Sequence, residues 1–196
     1  MAKKSASSKK SGQKTAGNQP FLSDVKTLRK RARQHIQGGA VTAGYGADRK
    51  VVLRLLNEAL ATEIVCVLRY KRHFYMATGL SSQSIAQEFL QHANEEQAHA
   101  DEIAARIVQL DGEPNFSPEG LATRSHSEYV EGENLIDMIK ENLVAERIAI
   151  DSYREMIIWL GNKDTTTRRM LEGILAMEEE HADDMAGLLE QLGASR

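Results

Sequence analysis

Two short stretches repeat one chemical pattern: Glu95-Glu96-Gln97-Ala98-His99 and Glu178-Glu179-Glu180-His181. Each contains a Glu-x-x-His inside a long helical pattern. Three residues along a helix is a rotation of about 300°, so the carboxylate and the imidazole share one face. Carboxylate plus neutral imidazole is a ligand set for a divalent metal ion, and it suits iron or manganese better than thiolate-loving metals. One such pair is commonly a surface feature. Two pairs, each preceded by another helix with a lone inward glutamate, would build a six-ligand pocket for two ions.

The chain supplies those helices. From Asp48 to about Thr78, Val52, Leu55, Leu56, Ala59, Leu60, Glu63, Val67, Tyr70 and Phe74 recur at steps of three and four, and Glu63 is the one acidic interruption. Gly79 is expected to stop this helix. The next runs from Ser81 or Ser82 to about Leu110, with Ile85, Phe89, His92, Glu96, His99, Ile103 and Ile107 on its stripe. Asp111-Gly112-Glu113-Pro114 breaks it. Residues 111–130 are too long for a hairpin turn and suit a crossover along the side of a bundle. A third helix spans about Gly132 or Glu133 to Leu160, with Met138, Ile139, Asn142, Glu146, Ile150 and Tyr153 inward. A fourth spans Thr165 to Leu192, with Leu171, Ile174, Glu178, His181, Met185 and Leu189 inward. Four helices of about thirty residues, each roughly 45 Å long, make an all-α four-helix bundle over residues 48–193.

The two hairpins overlay. Glu63 and Glu146 are 83 positions apart; Glu96 and Glu178 are 82 apart, as are His99 and His181; Tyr70 and Tyr153 both fall seven after their glutamate. Subtracting 82 places Glu178 on Glu96, so Glu96 and Glu178 are the inward pair. Glu95, Glu179 and Glu180 are expected to face water or another subunit. No Lys or Arg is placed on the inward stripes. Four carboxylates and two imidazoles buried without cations would cost many kcal/mol. Two divalent ions balance four negative charges.

Other residues receive plainer readings. His92 is a core histidine or a neighbour of the ligands, with core preferred. His35, His73 and His126 are assigned to the surface, Trp159 to packing and Cys66 to the core. Tyr70 and Tyr153 either hydrogen-bond a ligand carboxylate or supply an electron; a buried tyrosine with a satisfied hydroxyl is the default.

Composition sets outer bounds. The 196 residues are 41% hydrophobic and 27% charged, with three prolines and one cysteine. One cysteine allows neither an intrachain disulfide nor a Cys-based zinc site, and fits a reducing, cytoplasmic location. No apolar run is long enough to span a membrane, and no apolar segment follows the N-terminal lysines as in a secretory signal. The net charge of −3 hides an asymmetry: residues 1–36 carry ten basic side chains and only Asp24 as an acid. Residues 1–20, with Lys3, Lys4, Lys9, Lys10 and Lys14, read as a disordered tail. It serves DNA binding by phosphate neutralisation, or solubility, or docking on the acidic body. Phe21 to about Gln37 reads as a short helix with Val25, Leu28, Ala32 and Ile36 on one stripe, stopped by Gly38-Gly39. A loop follows to residue 47.

Asn57-Glu58-Ala59-Leu60-Ala61-Thr62-Glu63-Ile64-Val65, Tyr70, Glu96-x-x-His99-Ala100-Asp101, Gly112-Glu113-Pro114-Asn115, Leu143-x-x-Glu146 and Glu178-x-x-His181 resemble the bacterioferritin branch of the ferritin-like superfamily. The resemblance covers about residues 48–192. It implies that Glu63 and His99 hold one iron, Glu146 and His181 the other, and that Glu96 and Glu178 bridge them. Manganese or zinc could occupy the same ligands. It implies oxidation of Fe(II) by dioxygen or peroxide and storage of ferric mineral in a hollow homo-oligomer. The family's tyrosine beside the centre falls on Tyr70, a possible electron donor.

Three departures shape the expectation. The family's haem-ligating methionine is replaced by Gln97, so haem is not expected. Only fifteen residues follow His181, which leaves no fifth helix and favours a Dps-like dodecamer over a larger cage. The Lys-rich arm resembles the DNA-binding tails of some Dps proteins, a resemblance that implies a bacterial protein able to associate with the nucleoid. The competing functions are a Dps-like DNA-protecting protein and a rubrerythrin-like di-iron peroxidase. The latter usually carries a Cys-rich rubredoxin module that a single cysteine excludes.

Overall fold

Helix starts in this chain are set by short polar side chains that accept otherwise unpaired backbone N–H groups. Asp48 accepts from the amides of Lys50 and Val51 at 3.0 and 3.4 Å. Asn134 accepts from Asp137 at 3.1 Å, and Asp164 from Thr167 at 2.9 Å. In the computed structural model, which describes residues 23–77 and 82–193, these caps open three of four long helices. The elements are α1 (Val25–Arg31), α2 (Arg49–Met76), α3 (Ser82–Gln109), α4 (Leu121–Arg124), α5 (Leu135–Leu160) and α6 (Thr165–Gln191). No strand occurs among the described residues. The Lys-rich segment at 1–20 and the stop expected at Gly79 lie outside the described residues.

The long helices hold 28, 28, 26 and 27 residues. α2 pairs along its length with α3, and α5 with α6; the two hairpins meet through α2 against α5 and α3 against α6. The connection between them carries the single turn α4 and packs on α2. Polar side chains of α2 hold this crossover down. Asn57 donates to the Glu113 carbonyl at 3.3 Å and accepts from the Asn115 amide at 2.7 Å. Thr62 accepts from the His126 amide at 2.9 Å. Arg69 donates to the Glu128 carbonyl at 3.0 Å, and His73 Nε2 lies 3.1 Å from the Glu131 carbonyl.

Three local expectations change. α1 ends at Arg31 instead of reaching Gln37, and a 3₁₀ turn, Ile36–Gly38, follows His35 in left-handed conformation. Among the described residues nothing packs beneath the expected stripe: Val25, Leu28 and Ile36 are 59%, 47% and 74% exposed. A helix this short is marginal without tertiary contacts. His73, expected on the surface, is buried between Asn142 and the crossover. The inward faces also carry two arginines, Arg69 and Arg106, against the expectation that they carry none.

The core falls into two apolar layers. One contains Val52, Leu56, Leu60, Ile103, Leu171 and Ile174; the other Ile85, Phe89, Ile139, Met185 and Leu189. The buried acidic and imidazole side chains sit between these layers in the helix register. Tyr153 belongs to the first layer and Tyr70 to the second.

Candidate metal centre

Each long helix delivers its predicted side chains to one place. Glu63 comes from α2, Glu96 and His99 from α3, Glu146 from α5, and Glu178 and His181 from α6. All six are buried, His99 most exposed at 8%. The donor atoms form two overlapping groups, Glu63–Glu96–His99–Glu178 and Glu96–Glu146–Glu178–His181, each with one atom per residue within 4.8 Å of the others. Glu96 and Glu178 belong to both groups. His99 Nδ1 lies 3.3 Å from Glu63, 3.6 Å from Glu96 and 3.1 Å from Glu178. His181 Nδ1 lies 3.9 Å from Glu96 and 3.5 Å from Glu178.

Buried polar atoms ordinarily find partners. Here Glu96 Oε1, Glu146 Oε2, both Glu178 oxygens and His181 Nδ1 are buried without an aligned hydrogen bond. The electrostatics show the strain of that arrangement. Burial, with the neighbouring carboxylates Glu178, Glu63 and Glu146, pushes the Glu96 carboxyl well above its usual range. Burial and Glu178 do the same to Glu146. Burial also opposes charge on Glu178 and the imidazoles, yet the His181 and His99 imidazoles beside it hold Glu178 low. Glu178 and Glu63 raise His99 to about 10. Without cations, the raised affinity of Glu96, Glu146 and His99 for protons offsets part of the cluster's negative charge.

The surrounding residues brace this cluster. Tyr70 of α2 donates its hydroxyl to Glu146 of α5, and Tyr153 of α5 donates to Glu63 of α2. The 83-residue offset between hairpins thus appears as a reciprocal pair of bonds. His92 is fully buried, lies 3.2 Å from the Tyr70 hydroxyl through Nδ1, and stacks on His181 with ring centroids 4.0 Å apart. It is therefore a neighbour of the cluster as well as a core residue. Glu95 faces water only in part: its side chain is 31% exposed, and its Oε2 lies 2.9 Å from His181 Nε2. The residue beside an inward one on a helix points about 100° away, and here that direction faces α6. Glu179 and Glu180 are exposed, and Glu179 pairs with Arg154.

Arg69 was not anticipated. It donates to Asn142 Oδ1 at 2.9 Å and lies 3.5 Å from Cys66 Sγ. Its neighbour Asn142 is the one polar member of its expected inward stripe besides Glu146, which was the available signal for a buried partner. Burial pushes the Cys66 thiol far up, consistent with a packing role. Gln97 is exposed and donates to Asp101 at 3.0 Å. A surface groove of about 460 Å³ between α2 and α5, beside Trp159 and His126, shares no residue with the cluster.

A bundle of two helix hairpins, joined by a crossover and closed around four carboxylates and two imidazoles, defines the ferritin-like class. Residues 53–194 match the Ferritin family through its ferritin-like domain, and the chain belongs to this family. The bacterioferritin BfrA of Mycobacterium tuberculosis is 33% identical over 140 residues, 71% of this chain and 84% of that protein. Among solved structures, the dodecameric thioferritin of Bacteroides fragilis, a bacterioferritin-related protein, superposes with a TM-score of 0.73 at 31% identity. The match covers 76% of this chain and 89% of that one. Rhodobacter capsulatus bacterioferritin, with a metal-free dinuclear site and a haem iron, gives 0.65 at 27% identity, covering 74% and 89%. Among the described residues no helix is long and apolar enough to cross a membrane.

Proposed function

We propose that this chain is an iron-handling ferroxidase, with residues 48–193 as its working domain. The observation that carries the reading is the convergence of five unpartnered buried ligand atoms from Glu96, Glu146, Glu178 and His181. Glu63 and His99 hold one ion, Glu146 and His181 the other, and Glu96 and Glu178 reach both. Oxygen-rich ligands with one imidazole per ion fit iron, and manganese or zinc can take the same set. Two ferrous ions bound there would each give up one electron; dioxygen takes the pair with two protons from solvent and becomes hydrogen peroxide, or hydrogen peroxide takes the pair with two protons and becomes two waters.

The protein's own contribution is to orient and neutralise. Glu95 accepts from His181 Nε2–H, which leaves Nδ1 free to face the cluster. Tyr153 and Tyr70 fix the outer oxygens of Glu63 and Glu146, so that their remaining oxygens turn inward. The two apolar layers exclude bulk water above and below.

Ferric product is stored in a homo-oligomeric shell, with a dodecamer as the favoured form. The dodecameric B. fragilis neighbour supports this. So does exposed apolar surface on the long helices, including Leu68, Val108, Val144 and Ile158. The basic arm, Lys3, Lys4, Lys9, Lys10 and Lys14, would let the shell meet DNA phosphates in a bacterial cytoplasm. Anaerobic Fe(II) titration followed by dioxygen or peroxide tests the chemistry. Stoichiometric ferric product at two irons per chain supports it; ferrous iron that neither binds nor oxidises faster than in buffer refutes it.

A further inference from the structure

The dinuclear cluster does not account for every cation-ligating group in the bundle. One turn from Glu96, on the outer side of the α3/α6 seam, Glu88, His92 and Asp184 converge. His92 Nε2 lies 3.5 Å from Glu88 Oε1 and 3.4 Å from Asp184 Oδ2. One donor atom from each residue lies within 4.8 Å of the others. Two facts separate this trio from an ordinary acidic patch. The His92 ring is fully buried, and its Nε2 has no aligned hydrogen-bond partner. It points at two carboxylates that are 34% and 44% exposed and so open to solvent.

We propose that Glu88, His92 and Asp184 form a third divalent-cation site, which receives ferrous iron at the surface and passes it to the buried cluster. Two carboxylate oxygens and one imidazole nitrogen suit Fe(II), Mn(II) or Zn(II). A cation on His92 Nε2 fixes the proton on Nδ1, which then donates to the Tyr70 hydroxyl 3.2 Å away. Tyr70 already donates onward to Glu146. One imidazole and one phenol therefore connect this site to the dinuclear ligands. A stepping stone lies between them: His92, Glu95 and His181 also offer donor atoms within 4.8 Å of one another. The sequence of groups runs from half-exposed carboxylates, through a shared imidazole, to the buried pair. The transfer role rests on the ferroxidase reading; the cation site does not.

Zinc, which takes no part in redox, is the probe for occupancy, counted on the intact oligomer by equilibrium dialysis and elemental analysis. The expected count is three per chain for the unmodified protein and two for Glu88→Gln with Asp184→Asn. One ion should remain in Glu96→Gln with Glu178→Gln. A count of two in both the unmodified protein and the surface variant overturns the third site and leaves the dinuclear centre standing. A count of one in both the unmodified protein and the Glu96→Gln with Glu178→Gln variant overturns the dinuclear centre and leaves the third site standing. For transfer, the surface variant should oxidise iron about tenfold more slowly at limiting Fe(II) and within about twofold of normal at saturation. Equal rates at limiting Fe(II) overturn the transfer role. Both surface changes replace partly exposed carboxylates by isosteric amides, and helical circular dichroism with native mass verifies the fold.

Discussion

The Tyr70 hydroxyl donates to Glu146, across the interface between the two helix hairpins. The pair is completely buried, and burial with the Glu146 charge pushes the phenol far above its usual range. Tyr70→Phe leaves Glu146 without this donor, at a cost of about 1–3 kcal/mol in the metal-free protein. Urea unfolding measures the loss, and excess Zn(II) should recover most of it because bound cations stabilise the folded state. The same variant tests electron donation. If Tyr70 supplies an electron, a tyrosyl signal during Fe(II) oxidation vanishes in Tyr70→Phe and persists in Tyr153→Phe. Its persistence in Tyr70→Phe rejects that role.

Glu95 holds His181 by its outer nitrogen. Glu95→Gln removes the charge that fixes the ring and should weaken cation binding about 10–100-fold, read by competition with a chromophoric chelator. Glu179→Gln, which changes an exposed partner of Arg154, should leave it unchanged.

Asp164 links the start of α6 to α3 and to the segment before α2. Arg106 Nη2 donates to its two oxygens at 2.9 and 3.1 Å, and Tyr45 donates at 2.8 Å. Burial alone would raise this carboxyl, but Thr167, Tyr45 and Arg106 outweigh burial and hold it below its usual range. A depressed carboxyl stabilises the fold fully above the unfolded value of about 4 and loses that contribution as pH falls through the lower folded value. Asp164→Asn should therefore cost about 3 kcal/mol at neutral pH, with the gap to the unmodified protein closing in acid. A gap that stays constant down to acid unfolding contradicts the assignment.

The bundle and the convergence of six carboxylate and imidazole side chains were legible because both depend on helical period. An acid recurring on an otherwise apolar stripe, repeated after 82 or 83 residues, leaves few arrangements. Glu63, Glu96, His99, Glu146, Glu178 and His181 follow from that rule, and the structure brings them together. What the period hides is sideways reach. Glu95 looks outward by position, yet a glutamate at a helix seam can cross to the next helix and bind His181. Arg69 and His73 look like exposed charge until the crossover covers α2 and offers its carbonyls. Those partners lie about sixty residues away, beyond any local pattern. α1 ends early for the opposite reason: its stripe is periodic, but among the described residues no surface receives it.

The basic arm predicts salt-sensitive DNA retention. Five lysines neutralising five phosphates give a slope of about −4.5 in log affinity against log salt. Deleting residues 1–20 should abolish retention in a gel-shift series. Unchanged retention after deletion assigns the arm to solubility instead.

Iron content per native particle, after aerobic Fe(II) loading, tests the central claim most directly. The unmodified chain is expected to form a closed oligomer carrying far more than two ferric ions per chain. Glu96→Gln with Glu178→Gln is expected to assemble equally and stay nearly iron-free. A monomer without ferric iron, or equal loading of both proteins, contradicts the account.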